Sequence, residues 1–172
     1  GIETLLGGDG NDVLDGNKGN DQAVLGAGDD TFVWDPGDGS DVVEGQDGLD
    51  TMRFNGANIA EQFTLSANGS RLKLFRDIGN VTMDTAGVER VDLNTLGDTD
   101  LVTVNAPPDA STSRVTVKKP VGCSTSTSVA PPVSSLMTAI LLATDPGSMQ
   151  AVATDTAPRT PIASWTRWGM NV

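Results

Sequence analysis

The sequence predicts an all-β chain of many short strands joined by tight turns, and three observations carry that prediction. Residues 7–53 repeat one nine-residue phrase five times: GGDGNDVLD, GNKGNDQAV, LGAGDDTFV and, after a two-residue insertion, PGDGSDVVE and GQDGLDTMR. Position four of the phrase is always glycine, position six always aspartate, and position eight always apolar, as Leu14, Ala23, Phe32, Val43 and Met52. From residue 54 the register dissolves, yet alternating apolar and polar runs persist to residue 105.

Each part of the phrase has a physical reading. Glycines at positions one, two and four favour backbone angles with φ > 0, so the first six residues are predicted to form a turn rather than a strand. The last three positions set one apolar residue between two mostly polar or small ones, the alternation of a half-buried strand with position eight facing inward. Such strands are too short to bury a core alone. Stacking every second repeat on its predecessor puts Leu14, Phe32 and Met52 on one inner face and Ala23 and Val43 on the other. Trp34 and Asp35 interrupt the spacing, so the chain there must bulge out or begin a wider coil.

The phrase resembles the G-G-x-G-x-D-x-U-x repeat of RTX, or haemolysin-type, calcium-binding proteins. That resemblance implies a right-handed parallel β-roll, an RTX solenoid, over residues 1–53, with capping β-strands over 54–105. Departures from the pattern are Leu25 and Pro36 at position one and Asn17 and Gln46 at position two, which leave the paired glycines intact only in the first repeat.

Stacking gathers the turns into two columns, repeats one, three and five in the first and two and four in the second. Glycine carbonyls and aspartate carboxylates then form an all-oxygen cage of the kind Ca2+ takes with about six to eight ligands. The candidate metal ligands are Gly8, Gly10, Asp12, Gly19, Asp21, Gly26, Gly28, Asp30, Gly37, Gly39, Asp41, Gly48 and Asp50. Three complete sites are expected: between repeats one and three, three and five, and two and four.

Charge points the same way. Residues 1–53 carry thirteen acidic side chains against Lys18 and Arg53, so a counter-ion is required and calcium is expected to drive folding of residues 7–105. Extracellular calcium modules bind at about 10⁻⁴ to 10⁻³ M, which suits a switch that is off in the cytosol and on outside the cell. The resemblance further implies export through a type I secretion apparatus and a secreted, extracellular or cell-surface location.

Past the repeats, FTLSANGSRLKLF at 63–75 reads as a hairpin turning on Asn68-Gly69. NVTMDT and VERVDLNTL read as two further strands, and GDTDLVTV at 97–104 as a degenerate last repeat with Asp100 at position six and Val102 at position eight. Arg71, Lys73, Arg76 and Asp77 read as a solvated strand face. At Asn105 the composition changes: residues 1–105 hold twenty acidic and six basic side chains, residues 106–172 three acidic and five basic, with eight of the nine prolines. That Ser/Thr/Pro/Ala-rich tail reads as disordered, or as the product of a slipped reading frame. Its apolar run, LMTAILLA at 136–143, is too short to span a bilayer, which takes about 20 residues.

Several classes of function are excluded. The chain has no histidine, hence no H-E-x-x-H metalloprotease site and no Ser-His-Asp triad, and neither G-x-S-x-G nor a P-loop occurs. No enzymatic activity is expected of the fragment. The EF-hand spacing is missing, a flexible linker would lack the fixed register, and a net charge of −12 disfavours nucleic acid. Because the chain opens inside a repeat and without Met, it reads as the C-terminal fragment of a larger protein. Three readings stay open: a calcium-binding module that folds after export, the C-terminal roll of a secreted enzyme such as a protease, lipase or alginate epimerase, or part of a structural adhesin.

Overall fold

The computed structural model describes residues 1–105, 114–119, 124–130, 138–143 and 152–153. In chain order the strands are β1 (Thr4–Asp9), β2 (Val13–Asp15), β3 (Gln22–Ala27), β4 (Thr31–Trp34), β5 (Val42–Asp47), β6 (Thr51–Asn55), β7 (Gln62–Asn68) and β8 (Arg71–Arg76). They continue as β9 (Val81–Ala86), β10 (Arg90–Asn94), β11 (Thr99–Asn105), β12 (Arg114–Lys119), β13 (Ser124–Ala130), β14 (Thr138–Ala143) and β15 (Val152–Ala153). Among the described residues no α-helix occurs, and no helix is long and apolar enough to cross a membrane.

The strands form two sheets, one ordered β1-β3-β5-β9-β8-β7-β11-β13 and the other β15-β14-β12-β10-β6-β4-β2. Within the repeats the chain therefore crosses from one sheet to the other at every turn and returns beside itself in parallel. Leu14 pairs with Phe32 and Phe32 with Met52 in one sheet, and Ala23 pairs with Val43 in the other. All five side chains are buried. The inner faces follow the expected grouping because position eight alternates inward on every strand.

The turns depart from expectation on one side. β1, β3 and β5 run on through positions one to three of repeats one, three and five, so Gly7–Asp9, 25–27 and 45–47 are strand rather than turn. Gly8 (φ 107°) and Gly26 (114°) stay in register at positive φ, and Gln46 (76°) continues the ladder in a left-handed conformation one level on. In repeats two and four the chain leaves the sheet at position one, as the glycine pattern predicts.

The insertion begins a wider coil. Trp34 extends β4 by one inward residue, pairs with Phe54 and stacks on it at 4.0 Å, while Asp35 Oδ1 accepts the Asn55 amide. The step between stacked aspartates lengthens from 18 residues (Asp12 to Asp30) to 20 (Asp21 to Asp41, Asp30 to Asp50). Later strands keep the extra layer: Leu93 pairs with Phe54 and with Val117.

Beyond β6 both sheets continue. β9 pairs with β5 in parallel, and β8 and β7 follow it as an antiparallel meander before β11 resumes parallel pairing on β7. Asn68 pairs with Arg71, so the hairpin loop is Gly69-Ser70, one residue past the expected Asn68-Gly69 pair, with Gly69 at φ 64°. The core is one continuous cluster between the sheets, from Leu14 to Val117. In the tail, β12, β13 and β14 pair in parallel with β10, β11 and β12, and β15 pairs antiparallel with β14; the remainder of residues 106–172 lies outside the described residues.

Candidate metal centre

The position-six aspartates stack into two ladders. Each amide donates to the carboxylate one level on: Asp12 N to Asp30 Oδ1 (2.7 Å), Asp30 N to Asp50 Oδ1 (2.9 Å), Asp21 N to Asp41 Oδ1 (2.8 Å). Backbone bonds lock the same levels, with Thr31 N on Asp12 O, Thr51 N on Asp30 O and Val42 N on Asp21 O, each at 2.9 Å. Oδ1 is thus used in Asp30, Asp41 and Asp50, and Asp21 Oδ1 accepts Glu3 N at 2.7 Å. The other oxygen, Oδ2 of Asp12, Asp21, Asp30, Asp41 and Asp50, is buried with no hydrogen-bond partner.

An unpartnered buried carboxylate oxygen is costly, because water is lost and nothing replaces it. Burial pushes the Asp41 and Asp50 carboxyls up to about 6 from 3.8, against the lowering effect of the backbone amides they accept from Asp21 and Asp30, with Asp21 and Asp30 as like-charged neighbours. Asp38 is raised too, again chiefly by burial. A cation at these oxygens would remove the cost.

The glycines leave no room for side chains. A Cβ on Gly28 would stand 2.1 Å from the Gly10 carbonyl oxygen, and one on Gly39 1.4 Å from that of Gly19. Gly48 and Gly26 meet the carbonyls of Gly28 and Gly8 in the same way. Backbone carbonyls are therefore presented between successive turns, close to the orphaned carboxylates: a Cβ on Gly45 would lie 2.5 Å from Asp50 Oδ2, and one on Gly16 2.8 Å from Asp21 Oδ2. Gly8, Gly10 and Gly37 begin or flank the columns at positive φ with nothing close above their Cα atoms. Among the described residues no group of three or more His, Cys, Asp or Glu converges on a point. The donor set is one carboxylate oxygen per turn supplemented by carbonyls, all hard oxygens, which fits Ca2+.

Position five carries a second ladder that the repeat pattern did not single out. Asp29 N donates to Asn11 Oδ1, Leu49 N to Asp29 Oδ1 and Ser40 N to Asn20 Oδ1, all running opposite to the position-six bonds. Its signal in the sequence was present, in Asn11, Asn20 and Asp29. Glu89 was missed as well: its Oε2 accepts the Asp50 amide at 2.9 Å and continues the first column.

A stack of glycine-rich turns that buries aspartate oxygens beside backbone carbonyls, on strands that alternate between two sheets, defines a calcium-binding repeat. Residues 1–32 and 37–58 match the RTX calcium-binding nonapeptide repeat in four copies, a repeat that binds Ca2+. The break between the two matched stretches brackets the Trp34 insertion. No curated protein and no solved structure gave a significant match.

Proposed function

We propose that residues 7–53 form a right-handed parallel β-roll holding calcium at three levels, between repeats one and three, three and five, and two and four. Asp12, Asp21, Asp30, Asp41 and Asp50 supply carboxylate oxygens, and the position-two and position-four glycines supply carbonyls. Residues 54–105 extend both sheets beyond the repeats, and the fragment works as a calcium-dependent folding module of a larger secreted protein. The row of buried, unpartnered Oδ2 atoms carries this reading. Calcium binding is then folding free energy, because the carboxylates can be buried together only when the ion is present.

A calcium titration of the full chain, followed by circular dichroism and calorimetry, tests the reading. Binding at millimolar calcium with a gain of β signal is expected, and Mg2+, which needs a tighter octahedral shell, should substitute poorly. An unchanged β signal in excess chelator, with no heat of calcium binding, would remove the proposal.

A further inference from the structure

One carboxylate in the position-six register already has a cation. Along the edge where the first sheet meets its turns, the strand order brings together Asp21, Asp41, Arg76, Glu61 and Asp100. Glu61 occupies the aspartate's place in the backbone pattern: it precedes β7, its amide donates to Asp100 Oδ1 at 3.1 Å, and its carbonyl accepts Leu101 N at 2.9 Å. Its carboxylate differs from the aspartates in having no orphaned oxygen. Oε2 accepts the Ala57 amide at 2.8 Å, and Oε1 accepts Arg76 Nε at 2.6 Å with a second contact from Nη2. Both residues are buried, at 1% and 4% exposure.

Arg76 is itself held on all sides. Nη1 donates to Ile78 O at 3.0 Å, and the guanidinium lies 5.3 Å over the Trp34 ring. The indole N–H of Trp34 donates to Gly39 O at 2.8 Å, so the last position-four carbonyl of the second column meets a protein donor. The meander supplies the reason for the break in the column: β9 and β8 stand between β5 and β7, and no glycine-rich turn stacks on residues 36–41 at that level.

We propose that Arg76 is a built-in cation that takes a calcium ion's place at the Glu61 level, so that residues 61–86 hold their fold without metal and the calcium-dependent repeats assemble against them, whereas Asp100, one level on, keeps its Oδ2 buried without a partner. This inference rests on the reading of the repeat turns as calcium sites. A fixed guanidinium satisfies a buried carboxylate permanently, whereas removing it leaves a buried charge uncompensated.

Hydrogen exchange on the full chain, read by peptide mass in excess chelator and in millimolar calcium, tests it. In chelator the amides of β7, β8 and β9 should exchange at least about tenfold more slowly than those of β3 and β4. Arg76→Gln should abolish that protection in chelator, while Glu61→Gln combined with Arg76→Met, which removes both charges, should keep it. Equal exchange across the chain in chelator overturns the proposal, as does full protection in Arg76→Gln. If the double variant loses protection as the single one does, the pair is needed for shape rather than charge, and the proposal also falls. The calcium reading is judged separately in the same data: β3 and β4 that ignore calcium sink that reading and leave the chelator result for residues 61–86 intact.

Discussion

In the repeats, five stacked aspartates keep one buried oxygen each without a partner, whereas in the meander arginines meet the acids directly, Arg71 against Glu44 and Asp84 and Arg76 against Glu61. The backbone arrangement is shared at one level: Glu61, just before β7, hands its amide to Asp100 at the start of the parallel strand β11, as the repeat aspartates do among themselves, while β8 and β9 run antiparallel. What differs is where the positive charge comes from. Where the guanidinium meets Glu61 the buried carboxylate is satisfied by the polypeptide itself, whereas the repeat aspartates, and Asp100 beyond the meander, keep a buried oxygen that a cation from solution would satisfy.

The largest contrast should come from chelation. Excess chelator is expected to abolish the β signal contributed by β1 to β6, since each occupied site adds about 2.7 kcal/mol when calcium stands about 100-fold above its dissociation constant. Circular dichroism and exchange measured together would show whether the loss stops before β7.

Next in size are the glycines. Gly39→Ala should cost more than about 3 kcal/mol, as its Cβ would collide with the Gly19 carbonyl and the backbone of two stacked turns would have to part. Gly69→Ala, in the meander hairpin, meets nothing within 4 Å and should cost only about 1 kcal/mol for its left-handed φ. Thermal melts in saturating calcium would rank the two.

Single carboxylates come third. Asp30→Ala should raise the calcium midpoint more than Asp12→Ala, because Asp30 serves levels on both sides of its turn. Asp47→Ala, at an exposed position of the same column, should barely move it. Equal shifts from Asp30 and Asp47 would mean that the acids act only as diffuse charge.

A smaller effect is expected from pH. Asp41 and Asp50 titrate at about 6 in the metal-free fold against 3.8 ordinarily, so that fold binds more protons than the unfolded chain between those values. Its stability should therefore rise as pH falls from about 6 toward 4, the reverse of the usual carboxylate case. Protons and calcium compete for the same oxygens, so the calcium midpoint should move upward between pH 7 and pH 5. A midpoint independent of pH over that interval would contradict the burial of these carboxyls. The least change should follow Arg71→Ala, whose partially exposed ion pairs are worth about 1 kcal/mol at most.

The repeats were legible because each repeat states its own environment. Position eight fixed the two inner faces, and position six the ladder, with no knowledge of what lay far away in sequence. Where a residue's role depends on a distant partner, the sequence was silent. Arg76 looked like one charge on a solvated strand face beside Arg71 and Lys73; only the return of the meander brings it against Glu61 and Trp34 and buries it. Trp34 looked like an interruption, and its indole instead fills a layer that the later coils retain. The hairpin shifted by one residue because Asn68, predicted to lie in the turn, instead pairs with Arg71 and donates its side-chain amide to Asp84.

The two opposed ladders at positions five and six have a mechanical consequence. Repeats one, two and three each lend an amide forward at position six and receive one back at position five, so neighbouring levels are interlocked like the teeth of a zip, and neither is complete alone. Such a stack behaves as a one-dimensional chain with nearest-neighbour coupling, in which a defect weakens both adjoining boundaries. Leu49 ends the position-five ladder of the first column, having no oxygen to offer the next level, and past it the column is joined by the position-six bond from Asp50 to Glu89. Across that seam the strand ladder itself carries on, β6 pairing with β10 over five residues and Arg90 N donating to Asp50 O, so the change is in how the turns are joined and not in whether the sheets are continuous.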